Sequence, residues 1–153
     1  MYKTIVLASL LALALFSSGC GSSTPSRNNI NGNWTAILNN SDGSLAYQFS
    51  ATLTQDGGSE LNITNLIYTV DGSCPSLAST NGAGGSFIAT GSSNGWVTGS
   101  FAMSWASPAI IGPAIDLQGT VSNNTISGQW TLRSSGGTCN GSGSFTMHPT
   151  TTG

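Results

Sequence analysis

The chain is expected to be all-β, an eight-stranded antiparallel up-and-down barrel, and three observations lead there. Apolar residues recur with period two over most of its length, its polar residues are Ser, Thr, Asn and Gly rather than ions, and short turn signals separate segments of strand length. Only 5% of the 153 residues are charged and 21 are glycine, a composition that suits pleats and turns and gives a helix little to work with. Sequential hairpins that close on themselves leave no edge for another chain to pair with. A two-sheet β-sandwich built from the same strands is the structural alternative.

The first 30 residues stand outside that pattern. Residues 1–19 read as an export signal: Lys3 is the basic start, "IVLASLLALALF" (5–16) is an apolar run too short to span a bilayer, and Ser17, Ser18 and Gly19 are the small residues a peptidase needs. Residues 20–30 comprise Cys20 and "GSSTPSRNNI", which reads as a flexible tether with a typical span of about 18 Å. Residues 31–149 form the expected barrel domain and 150–153 a tail.

Strands are expected in order as follows. The first covers 31–38 and begins at "GNW"; after "NNSDGS" comes "LAYQFSATLTQ" (45–55), which puts Leu45, Tyr47, Phe49, Ala51 and Leu53 on one face and polar residues on the other. The third follows "DGGS" and covers 60–70, and the fourth covers 86–91. "SSNG" leads into the fifth (95–105), the Pro-bounded "SPAIIGP" into the sixth (114–121), "SNN" into the seventh (125–133), and the eighth covers 139–148. In such a meander the long connections (39–44, 71–85, 106–113 and 134–138) share one end, while the tight turns and the tether share the other. "GSF" recurs at 85–87, 99–101 and 143–145, placing Gly two residues before Phe on one face, where glycine lets a strand coil and an aromatic covers the gap.

Charge excludes one class of partner. Without Lys3 the chain carries Arg27 and Arg133 against Asp42, Asp56, Glu60, Asp71 and Asp116, so it offers no basic patch for nucleic acid or anionic headgroups. Catalytic chemistry has little to build on: His148, the lone histidine, adjoins Pro149, no "GxSxG" elbow occurs, and His, Cys and carboxylates do not cluster at metal-ligand spacing. No enzymatic activity, cofactor or metal is expected.

A leader ending in Ser18-Gly19-Cys20 resembles the lipobox of bacterial lipoproteins, with Ser17 where Leu is usual. The resemblance implies a diacylglycerol on the Cys20 thiol, cleavage just before it and a third acyl chain on the new N-terminus, together a stable anchor. Gly21, rather than Asp, resembles the pattern that permits transport to the outer membrane. An ordinary signal peptide with an incidental cysteine is the alternative reading. Three thiols cannot all pair in an exported protein, so acylation of Cys20 would leave Cys74 and Cys139 as a disulfide. Both fall in connections at the same end of the meander, and closing a loop of about 65 residues would stabilise the fold by roughly 4 kcal/mol.

Further resemblances lie in the mature chain. "GNW" (32–34) is similar to the Gly-x-Trp that opens lipocalins, and "GQWTLRSS" (128–135) to a late strand of the avidin group, both eight-stranded barrels that hold small molecules. "GTCNGSGSFTMHP" (137–149), with the leader and the tryptophan strand, resembles small Gly/Ser/Thr-rich lipoproteins of acidobacterial genomes, which implies an architecture and no activity. Trp34 and Trp130 are expected as core plugs. Phe101, Met103 and Trp105 of "FAMSW" share a face and either fill the barrel or line the mouth of a cavity.

The expected function is therefore a lipid-anchored envelope module that takes a small apolar ligand or a glycan at the long-loop end, with Trp105, Asp71, Ser73 and Arg133 as candidate contacts. A structural or protein-interaction lipoprotein with a solid core is one alternative. A small membrane-spanning barrel is another, because alternation alone does not say which face is outside.

Overall fold

A computed structural model of the chain describes residues 28–70, 83–106, 113–134 and 140–150. Eight strands, β1 (Gly32–Asn40), β2 (Leu45–Gln55), β3 (Glu60–Val70), β4 (Gly84–Ser93), β5 (Trp96–Ala106), β6 (Ala114–Ser122), β7 (Thr125–Arg133) and β8 (Gly141–Pro149), form a closed antiparallel barrel in sequence order. β8 returns to β1 from Trp34↔Pro149 to Asn40↔Gly143, and this closure excludes the sandwich. The leader, Cys20, the tether as far as Arg27, Cys74 and Cys139 lie outside the described residues, whereas Ile30, expected to end the flexible tether, is buried in the barrel core.

Tight turns arise where the sequence offers residues that accept positive φ. Asn94-Gly95 and Asn123-Asn124 both take positive φ at their two central positions, which matches the right-handed twist of the strands they join. The two turns are also tied together, Asn94 Nδ2 donating to Asn123 Oδ1 at 2.8 Å. At the opposite end Asp42 Oδ1 accepts from the Ser44 backbone N–H (2.9 Å) and hydroxyl (2.6 Å), closing the β1–β2 connection. The Ser44 hydroxyl, then its amide, favour the charged form and hold the Asp42 carboxyl below the usual carboxylate range.

The strand pairing shifts register at four places, and two of these bulges decide which residues of β2 and β3 face the core. On β2, Leu38 pairs with Tyr47 but Asn39 with Leu45, so Ala46 is the extra residue. The strand changes phase there, leaving Leu45 47% exposed while Ala46 is buried; Leu45 therefore does not join the inner face expected for it. On β3, Ser50 pairs with Ile67 and Thr52 with Thr64, and Asn65 takes a φ of 51°. Leu61 and Ile63 point inward before this bulge, and Leu66 and Tyr68 pack against the core after it.

The inner face is apolar and the outer face polar. Trp34, Trp105, Trp130, Phe49, Phe87 and Phe145 are among the largest fully buried side chains. Thr35, Ser50, Ser100, Gln118, Gln129 and Ser144 alternate with inward residues and lie on the outside. A barrel in lipid needs the reverse arrangement, an outward apolar band, so this wall does not suit a membrane-spanning role. Ile30 seals the tight-turn end from inside, its carbonyl accepting from Trp34 Nε1 at 2.9 Å. An aromatic group of Tyr47, Phe49, Tyr68, Trp105 and Trp130, joined edge to face, fills the other end.

The "GSF" repeats do place Gly and Phe on the inner face, but the ring covers a glycine on another strand, adjacent for Phe87 and two strands away for Phe145. A Cβ on Gly99 of β5 would lie 2.7 Å from Phe87 Cε2 of β4, and one on Gly119 of β6 would lie 3.0 Å from Phe145 Cζ of β8.

Candidate functional site

The barrel wall separates residues that the sequence groups as candidate contacts of one site. Trp105, the fifth-strand candidate, points inward and is 2% exposed; its ring meets Phe49 at 5.1 Å between centroids, and its Nε1 donates to Tyr68 Oη at 2.7 Å. That bond spans the weakest seam of the barrel, because β3 pairs with β4 only over Glu60–Asn62. Phe101 and Met103 are buried beside it, so the apolar side chains of "FAMSW" help fill the interior. Arg133, at the end of β7, faces outward instead. Trp105 and Arg133 thus cannot line one site, and Asp71 and Ser73 lie outside the described residues.

Arg133 does find a partner. Its Nε donates to Asp116 Oδ2 at 3.0 Å and its Nη2 reaches the same oxygen, with the Arg133 side chain 74% exposed and that of Asp116 25%. Register explains the meeting: the Asn123-Asn124 turn sets Asp116 opposite Thr131, so Arg133 sits one diagonal step away on the same face. An exposed pair of this kind contributes little to stability, of the order of 1 kcal/mol or less.

Beside the pair runs an open groove of about 790 Å³ across the outer face of β6, β7 and β8. Gln118 opposes Gln129 and Thr131 opposes Ser142 along its lining, which Gly141 completes at the start of β8. Reading the sequence for single motifs overlooked Asp116, Gln118, Gln129, Thr131 and Ser142. The signal was the position of the "SNN" turn, which fixes which residues of the two flanking strands face each other.

His148 lies on the outer face of β8 between Thr35 and Thr125, its Nδ1 3.4 Å from Thr125 Oγ1, at the end of β7 opposite Arg133. Among the described residues no group of three or more His, Cys, Asp or Glu is placed to hold a metal ion. Compared with protein-family models, curated proteins and solved structures, the chain matches none.

Proposed function

We propose that the protein is an exported lipoprotein, anchored in the cell envelope through acyl chains on Cys20, whose solid barrel works through its outer surface. The observation that carries the second half of this reading is the filled interior: rings of Trp34, Phe49, Phe87, Trp105, Trp130 and Phe145 occupy the space where lipocalin-like barrels hold a ligand. Ser17-Ser18-Gly19-Cys20 after a short apolar run supports the address, and Gly21 supports the outer membrane as destination. A Cys74–Cys139 disulfide would then pin the connection after β3 to the one before β8. Binding at this outer surface, rather than catalysis, is the role proposed.

An intact denaturing mass of the chain purified from the membrane fraction tests the address and the crosslink together. The expected mass is that of residues 20–153 plus three acyl groups and the thioether-linked glyceryl, less two hydrogens. A chain that keeps residues 1–19, or one that ends on an unmodified cysteine, would overturn the anchor. Two extra hydrogens would overturn the disulfide.

A further inference from the structure

We propose that the groove on the outer face of β6, β7 and β8 binds a neutral oligosaccharide, gripping vicinal hydroxyls with the Asp116–Arg133 pair. The inference rests on the reading that the outer surface is the working part, and it names the ligand class. Both Arg133 contacts fall on one carboxylate oxygen, Oδ2. Among the described residues this leaves Asp116 Oδ1 as an acceptor beside guanidinium N–H donors, with most of the arginine in water. Two adjacent hydroxyls of a sugar ring match that edge, each donating to the carboxylate and accepting from the guanidinium.

The rest of the groove agrees with the same ligand. Gln118 and Gln129 each offer a donor and an acceptor, and Thr131 and Ser142 add hydroxyls, on strands about 4.8 Å apart. The lining carries one positive and one negative side chain, so an anion meets Asp116 and a cation meets Arg133. A lipid or drug-like apolar molecule would have to desolvate these groups. A peptide adding as a strand finds no free edge, because β7 is paired on both sides from Ile126 to Leu132. At about 790 Å³ the groove is in the range of small-molecule sites and holds a few sugar rings.

The test is a titration of the full-length ¹⁵N-labelled chain in detergent with maltoheptaose, cellopentaose and chitopentaose, followed through the Arg133 Nε–H and the Gln118 and Gln129 side-chain amides. Saturable shifts at these signals with at least one oligomer are expected, with Kd about 1 mM or tighter and little change on adding salt. Arg133→Gln should weaken binding about tenfold, and Ser142→Phe, which fills the groove from an exposed position, should abolish it with the backbone spectrum otherwise intact. The proposal fails if none of the three shifts these signals, if polygalacturonate binds in their place, or if both variants bind as tightly as the parent. Such a failure leaves the filled interior untouched, since an internal ligand would be seen as bound mass and not as shifts on this face.

Discussion

Gly143→Ala is expected to cost the barrel about 3 kcal/mol or more, enough to leave much of the protein unfolded if its total stability is ordinary. Gly143 sits on the inner face of β8 at the seam that closes the barrel onto β1. A Cβ there would lie 1.9 Å from the Asn39 carbonyl oxygen and 2.9 Å from the carbonyl carbons of Asn39 and Asn40. Those are backbone atoms held by the ladder, so no side chain can swing aside to make room. The same carbonyl accepts the indole N–H of Trp130 from β7 at 2.8 Å. Glycine is needed where that indole crosses β8 to reach β1. Gly84→Ala provides the control, because its Cβ would meet nothing within 4 Å; its urea midpoint should move by the equivalent of about 0.5 kcal/mol or less. Equal midpoints for the two variants would mean that the seam is looser than described.

Trp130→Ala should be comparably severe, about 3–5 kcal/mol by the same urea measurement. The ring is 1% exposed, stands edge-on to Tyr47 at 5.6 Å and 86°, and packs against Gly141. Its loss removes apolar area, leaves a cavity at the long-loop end and strips the Asn39 carbonyl of its indole donor. Ile88→Ala, at an outer position 56% exposed, is the matched control and should change stability by about 0.5 kcal/mol or less. A Trp130→Ala protein as stable as the Ile88→Ala protein would contradict a packed interior.

Much of the fold was legible because it rests on local signals. "LAYQFSATLTQ" reads as a strand from its own residues, and Asn94-Gly95 and Asn123-Asn124 name their turns through the positive φ they accept. The phase of β3 was harder: "NITNL" alternates plausibly either way, and only the pairing of two β3 residues, Asn65 and Leu66, against Ala51 of β2 places the bulge there. Leu45 misled for the same reason, since one extra residue at Ala46 turns it outward. The covering of Gly99 by Phe87 and of Gly119 by Phe145 is a property of register between strands, which a pattern read along one strand does not contain.

Candidate sites were less legible. Trp105 was singled out as an aromatic beside a long loop, but an aromatic at the rim of a narrow barrel is the residue most needed to fill it, and it faces Tyr68 and Phe49. Arg133 was singled out for its place at the long-loop end, and its partner Asp116 followed only from the β6–β7 register. The groove itself is lined from three strands, β6, β7 and the start of β8, which no single segment displays.

The decisive comparison is between native and denaturing mass spectra of the full-length chain. With the interior occupied by its own side chains, the same protein mass is expected in both, apart from detergent that dissociates on mild activation. An additional mass that recurs in the native spectrum, resists that activation and disappears on denaturation would place a ligand among Phe49, Met103 and Trp105, and would contradict the solid barrel.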